Sequence, residues 1–118
     1  MSSNETTPGK TSISAGVLTT IAQLAALGVP GVRRMAPVTG GVNRLFRRGA
    51  AQGVRIETED NTVHADIFLV LVGDVNIREV SRNVQLQVSR AITEMVGMDV
   101  GYVNIHIEDV EYDGDETS

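Results

Sequence analysis

The sequence predicts one small α+β domain, a two-layer sandwich in which two main helices pack on one face of a mainly antiparallel sheet. Apolar residues recur at helical spacing in residues 15–27 and 77–96. Residues 54–59, 62–72 and 99–110 alternate between apolar and polar side chains, which is typical of strands. With 118 residues, 42% of them hydrophobic, the chain can fill one core but not two.

The predicted order of elements is β, α, a short basic helix, β, β, α and β. Residues 1–10 are expected to be a flexible arm, because their polar composition buries too little apolar surface to order them. Residues 11–14 are predicted to form a short strand. Ser14 is the expected N-cap of the first helix, which Gly28 and Pro30 end. The predicted apolar stripe of this helix is Val17, Leu18, Ile21, Leu24 and Ala25.

Between the two helices, the sequence predicts a hairpin whose second strand lies at the centre of the sheet. Residues 32–39 fit either a loop or an edge strand, since Pro37 interrupts any central strand. Asp60 and Asn61 supply the turn of the hairpin. The second strand becomes apolar on both faces toward Val72, which indicates that both faces are covered there.

The second helix has the strongest sequence signal. Asn76 and Glu79 form a capping pair at its start, and Gly97 ends it. Leu86 lies away from the apolar stripe and is predicted to be exposed. The stripe itself consists of Val80, Val84, Val88, Ala91, Ile92 and Met95.

The chain ends in a strand and an acidic tail. The last strand is predicted over residues 99–110, which makes residues 11–110 the domain. Residues 111–118 are expected to be disordered, because they are acidic and carry no basic residue. This tail would aid solubility or fold back on basic residues of its own or another subunit, an interaction that salt would weaken.

The composition excludes several classes of protein. The chain has no cysteine, which excludes disulfides and thiolate sites and favours a reducing compartment. Residues 1–10 contain no apolar stretch of a signal peptide or anchor. The longest apolar run, residues 67–72, is too short to span a bilayer. We therefore expect a cytoplasmic protein, with a peripheral location at the inner face of the cell membrane as the alternative.

Motifs for catalysis and for cofactor binding are absent from the sequence. The chain has no cysteine nucleophile, no G-x-S-x-G elbow and only two histidines. Gly40 and Gly41 lack both the Lys-Ser/Thr pair and the third glycine of phosphate-binding loops. The sequence thus predicts no catalytic residue, no cofactor and no enzymatic activity.

Four polar residues form the best candidate for a metal site. His64 and Asp66 lie on one predicted strand, and His106 and Glu108 lie on another. The spacing of two places each pair on one face of its strand, so neighbouring strands could assemble four ligands. The alternative is a set of ordinary cross-strand polar pairs, which is favoured because no ligand-spacing motif is present.

The arginine-rich stretch of residues 33–48, which we call the basic segment, is the main candidate for docking. It holds five of the ten basic residues, and apolar residues interleave with its arginines at helical spacing. It fits an anionic membrane or a protein partner ahead of nucleic-acid phosphates, and the alternative is a solvated helix that offsets the acidic surface. The predicted docking residues are Arg33, Arg34, Arg44, Leu45, Phe46, Arg47, Arg48 and the exposed Leu86.

Three stretches of the chain, residues 11–32, 53–72 and 75–110, resemble the alkaline shock protein family of envelope stress response proteins. This chain has Val96 where a Thr before the glycine is common, and Arg78 where Pro often precedes the Glu. These changes affect local capping more than the fold. The resemblance rests on Val29-Pro30-Gly31-Val32, Gly53-Val54-Arg55-Ile56, Ile77-Arg78-Glu79-Val80, Met95-Val96-Gly97-Met98 and Val103-Asn104-Ile105-His106-Ile107, of which the blocks after residue 76 are the most specific.

The resemblance implies an abundant bacterial cytoplasmic protein with a role in cell-envelope homeostasis and no established catalytic activity. Some members are held at the membrane by a separate anchor protein, and some form assemblies. We therefore expect a non-enzymatic scaffold that self-associates or docks on a membrane-anchored protein partner. The alternative is a small nucleic-acid-binding module that uses the basic segment, although the sequence suggests no aromatic stacking pair on the sheet.

Overall fold

The computed structural model describes residues 13–38 and 53–112. Two helices, α1 (Ala15–Leu27) and α2 (Ile77–Val96), lie on one face of a four-stranded sheet. The strands are β1 (Val32–Met35), β2 (Val54–Glu59), β3 (Thr62–Val72) and β4 (Asp99–Glu111). The predicted α+β class, with two helices on one face of the sheet, is confirmed. Neither helix in the described part of the chain is long and apolar enough to cross a membrane.

Strand β3 is the centre of the sheet, as the sequence predicted. Strands β1 and β2 pair with it antiparallel, one after the other along the same edge, and β4 pairs with it along its whole length on the other edge. Two of the three pairings are therefore antiparallel, but the longest, between β3 and β4, is parallel. A helix of 20 residues joins these two strands, and such a crossover is what a parallel pair requires.

The two faces of β3 have different coverage. Every second residue on one face is fully buried beneath the helices, where the main core lies. On the other face, Phe68 and Val70 are also buried, against Ala36 and Val38. Burial on both faces toward the end of β3 agrees with the prediction. The residues facing the helices are Val63, Ala65, Ile67, Leu69 and Leu71.

The ends of both helices follow their sequence signals. The side chain of Ser14 accepts a hydrogen bond from the Val17 amide, and that of Asn76 accepts one from the Glu79 amide at 3.0 Å. Gly97 ends α2 with a φ of 72°, a left-handed conformation that favours glycine. The predicted strand before α1 is not found at residues 13–14, and its first two residues lie outside the described part.

Helix α2 buries the predicted stripe except at its last turn. Val80, Val84, Val88 and Ile92 are buried, whereas Met95 is 68% exposed. Val96, in the same last turn, still packs against the main core, so the error concerns Met95 and not the whole turn.

Candidate interaction surface

Helix α1 exposes large apolar side chains on the side that faces away from the core. Val17 is 48% exposed, Leu24 is 64% exposed and Leu27 is 40% exposed. None of the 13 residues of α1 carries a charge. The prediction that Val17 and Leu24 belong to the buried stripe is therefore wrong. We call this exposed side the α1 face.

The buried side of α1 is formed by one leucine and several small residues, while other large residues lie outside. Leu18, Ala22 and Ala26 are fully buried, and Thr19 is nearly so. Alanine side chains let the helix backbone approach the sheet closely, so the small residues pack inward although the larger ones are more apolar. Because α1 is apolar on both sides, hydrophobic spacing alone does not identify the buried one.

A groove of about 410 Å³ runs beside the α1 face, between the end of α1 and the middle of α2. Leu24 and Pro30 supply apolar walls, and Asn83 and Gln87 of α2 supply a neutral polar rim. The groove thus combines apolar surface with amides that both donate and accept hydrogen bonds. Its lining is Leu24, Ala25, Gly28, Val29, Pro30, Asn83 and Gln87.

The predicted docking residues are not brought together in the described structure. Leu86 is exposed as predicted, at 52%, but it lies on α2 in the helix layer. Arg33 and Arg34 lie on β1 in the sheet. The remaining predicted docking residues, Arg44, Leu45, Phe46, Arg47 and Arg48, lie outside the described residues.

Arg33 and Arg34 both contact Glu111 near the end of β4. The Arg34 Nη2 donates to Glu111 Oε2 at 2.7 Å, and Arg33 Nε lies 3.5 Å from Glu111 Oε1. The hydrogen bond to Glu111 and its negative charge raise the pKa of Arg34 further above its ordinary value. Glu111, predicted as the first residue of the acidic tail, is instead the last residue of β4, so these contacts join two strands of the sheet.

On the face of the sheet opposite the helices, a polar cluster surrounds Asp66. His106 Nε2 lies 2.9 Å from Asp66 Oδ1, Asn104 donates to the same oxygen at 3.3 Å, and Arg55 donates to Oδ2 at 3.5 Å. Partial burial pushes the pKa of Asp66 upward, but the hydrogen bonds from His106 and Asn104 and the charge of Arg55 outweigh it. The pKa of Asp66 therefore lies below its ordinary value.

Two ring stacks flank this cluster, contrary to the expectation that the sheet lacks an aromatic stacking pair. His64 stacks on Tyr102 with ring centroids 4.5 Å apart, and Phe68 stacks on His106 at 4.4 Å. The Phe68 ring is 97% buried and offers no face to a ligand. The pairs were missed because each forms across two strands, between a histidine and an aromatic residue.

The four candidate metal ligands do not assemble into a site. Asp66 and His106 meet, but the ring of His64 packs on Tyr102, and Glu108 is the extra residue of a bulge in β4. Within residues 13–38 and 53–112, no group of three or more histidine or carboxylate side chains is placed to hold a metal ion. Of these four residues, Asp66 and His106 form a cross-strand polar pair.

Comparison with known proteins identifies the family. Residues 3–112 match the model of the alkaline shock protein 23 family, which is described as having a cell envelope-related function. This match spans nearly the entire chain. The chain belongs to the alkaline shock protein 23 family. The resemblance found in the sequence is therefore confirmed.

Two similar proteins come from Bacillus subtilis and Streptococcus pyogenes. The chain is 30% identical to the uncharacterized protein YqhY of Bacillus subtilis over 96% of its own length and 85% of that protein. It is 32% identical to the uncharacterized protein Spy1535 of Streptococcus pyogenes, covering 86% of this chain and 79% of that one. Neither description includes an enzymatic activity.

Solved structures of low sequence identity align with this family member. A zinc form of the MamM CTD aligns with a TM-score of 0.50 at 13% identity, covering 80% of this chain and 84% of that one. Another structure, MamM-CTD 215-293, has a TM-score of 0.49 at 14% identity and covers 81% of this chain and 99% of that one. At such low identity the likeness shows the fold alone.

Proposed function

We propose that this member of the alkaline shock protein 23 family is a non-enzymatic interaction protein that docks on a protein partner held at the inner face of the cell membrane. The observation that carries the proposal is the exposed, uncharged α1 face beside an apolar groove. Large apolar side chains exposed side by side are typical of interaction sites. The cell envelope-related function of the family supports a partner at the membrane.

The groove suits one kind of partner segment. An amphipathic helix can lay its apolar side against Leu24 and Pro30, while neutral polar side chains at its margin pair with Asn83 and Gln87. A strongly charged segment fits poorly, because α1 offers no charge to pair with it. The proposed partner segment is therefore an uncharged or weakly charged amphipathic helix.

The docking proposal is tested by placing a charge on the α1 face. Leu24→Asp should release the protein from the membrane fraction of cells, because it buries an unpaired carboxylate in the interface. Leu86→Asp is the matched control, since Leu86 is also an exposed leucine in the helix layer but lies outside the groove lining. Both variants should fold, because both leucines are more than half exposed.

The two variants separate the two candidate docking sites. Loss of membrane association in Leu24→Asp alone would support the α1 face, whereas loss in Leu86→Asp alone would contradict it and support the sequence prediction at Leu86. Membranes stripped of proteins, used in the same assay, distinguish a protein partner from lipid. Binding to lipid vesicles alone would count against the proposed partner.

The basic segment enters the proposal as a second docking element. Its apolar residues and arginines fit an acidic protein surface or anionic lipid near the partner. Reversal of Arg44, Arg47 and Arg48 to Glu should weaken membrane association, and raising the ionic strength should weaken the association of the wild type in the same direction. Unchanged association of the triple variant would remove the basic segment from the proposal.

The proposed function includes self-association, since a scaffold must hold more than one molecule. A second copy of the chain needs a surface that two identical molecules can share without opposing like charges. The net charge of −5 makes this requirement strict.

A further inference from the structure

Strand β4 is the longest strand of the sheet, with 13 residues, and it lies at an edge. Among the described residues it pairs only with β3. An unpaired edge presents backbone N–H and C=O groups that can pair with another strand. Natural sheets usually protect such edges with charges, bulges or short strands.

A hydrogen bond from α2 identifies the backbone groups that face outward. The Gln85 side chain donates to the Val103 carbonyl at 2.9 Å, so this carbonyl points away from β3. Backbone groups of successive residues in a strand point to opposite edges, while N–H and C=O of one residue share an edge. The backbone groups of Ile105 and Ile107 therefore also point outward. Those of Asn104 and His106 point toward β3.

Two bulges bound the regular part of this edge. The pairing register with β3 shifts at Gly101 and again at Glu108, so residues 102–107 form an uninterrupted stretch. Within it, residues 103–107 read Val-Asn-Ile-His-Ile and contain no Asp, Glu, Lys or Arg. Strand β2, which among the described residues pairs only with β3, carries Glu57 and Glu59. The uncharged part of β4 is the less protected edge.

We propose that β4 pairs antiparallel with β4 of a second copy, about a two-fold axis beside Ile105. Ile105 is the central one of the three residues whose backbone groups point outward. At the Val103 carbonyl, which accepts from Gln85 in one copy, the Ile107 N–H of the second copy would replace or join that hydrogen bond. Val103 of each copy lies opposite Ile107 of the other, and the two Ile105 residues exchange both of their backbone hydrogen bonds. The two four-stranded sheets become one continuous sheet.

The side chains in this register are compatible across the axis. Asn104 of each copy lies opposite His106 of the other, a pairing of a neutral amide with an imidazole. No carboxylate faces a carboxylate within residues 103–107, which matters for two copies that each carry a net charge of −5. Ile105 and Ile107 are half-buried in one copy and become more buried when the second copy pairs beside them.

A proline at the centre of the edge tests this inference. Ile105→Pro removes an outward-facing N–H that β3 does not use, so the variant should remain folded while the dissociation constant of the dimer rises roughly 100-fold. Ile105→Val keeps the N–H and is the matched control, which should dimerise like the wild type. Analytical ultracentrifugation over a concentration series gives the dissociation constant, and circular dichroism checks folding.

A cysteine gives a second readout that does not require the proline variant to fold. The wild-type chain has no cysteine, so Ile105→Cys introduces one thiol on the proposed axis, at a Cα separation of about 5.5 Å that suits a disulfide. Mild oxidation should link two copies. Thr58→Cys, on the free edge of β2, is the control and should link far more slowly.

The results distinguish this inference from the docking proposal on which it partly rests. Leu24→Asp should leave the dimer intact, because α1 is not at the β4 edge. A dimer lost in Leu24→Asp but kept in Ile105→Pro would overturn the β4 pairing and place self-association on the helices. A wild-type chain that is monomeric at every concentration, with no disulfide-linked dimer of the oxidised Ile105→Cys variant, would also overturn it, while membrane docking through α1 would stand.

Discussion

Asp66 holds together three neighbours from β2 and β4, on the face of the sheet that the helices leave open. Its carboxylate has contacts with Arg55, Asn104 and His106. A hydrogen bond to a charged group contributes about 1.5 to 3 kcal/mol, and less where the partners are exposed to solvent. Asp66 therefore links the two edges of β3 through side chains as well as through backbone pairing.

The lowered pKa of Asp66 predicts a dependence of stability on pH. A carboxylate whose pKa is lower in the folded state stabilises the fold above its unfolded pKa, and this contribution is lost as the pH falls through its folded pKa. Asp66→Asn should therefore lower the free energy of unfolding near pH 7 by about 1 to 2 kcal/mol. The difference should shrink in acid, as measured by urea unfolding at a series of pH values. A difference that stays constant down to strong acid would contradict the role given to the charge.

Gly101 lies beneath the ring of His64, where a side chain has no room. A Cβ at this position would overlap the imidazole, which is stacked on Tyr102. Gly101→Ala should therefore destabilise the protein by about 1 to 3 kcal/mol, because the ring must leave its stack. Gly16→Ala, in the exposed first turn of α1, is the control and should stabilise by up to about 1 kcal/mol. Equal thermal shifts for the two variants would refute the packing of His64.

At this scale the sequence predicted which residues meet better than it predicted what they do. The spacing of two along each strand placed Asp66 and His106 on one face, and they are in contact. Whether such residues bind a metal or pair with each other depends on the register between strands. Two bulges in β4 set that register, and sequence alternation does not locate them.

Helices α1 and α2 differ in how clearly their sequences define a buried side. In α2 polar residues occupy the side opposite the apolar stripe, so the sequence shows which side is buried. Both caps were predicted from Asn76 and Gly97. Helix α1 has no charged residue to mark its outer side, so Val17 and Leu24 were assigned to the core. The lack of any charged residue in α1 was the signal in the sequence for the proposed interaction face.

Two residues near the end of α2 give a direct test of packing. Ile92 is fully buried and Met95 is 68% exposed, although both belong to the predicted stripe. Ile92→Ala should lower the free energy of unfolding by about 2 to 5 kcal/mol, as large-to-small changes in cores do. Met95→Ala should change it by less than about 0.5 kcal/mol. Chemical denaturation measures both, and a comparable loss in Met95→Ala would mean that the Met95 side chain is packed and would contradict its exposure.

At the scale of the whole molecule, the sequence predicted the class and the order of the last four elements, but not which surfaces remain exposed. The parallel pairing of β3 with β4 puts β4 at an edge, and α1 covers the sheet with its alanine side. Both outcomes depend on tertiary packing. Within the described part of the chain, the exposed α1 face and the outer edge of β4 are two separate surfaces, the first proposed for a partner and the second for another copy.

The central claim is that the α1 face docks on a protein at the membrane, and site-specific photo-crosslinking in intact cells tests it most directly. A photoreactive residue in place of Leu24 should yield one discrete crosslinked adduct in the membrane fraction. The crosslinked partner, once purified, should also bind the wild-type chain in vitro. The same residue in place of Leu86 should yield no such adduct. Adducts of equal yield from both positions, or an adduct from position 86 alone, would contradict docking through the α1 face.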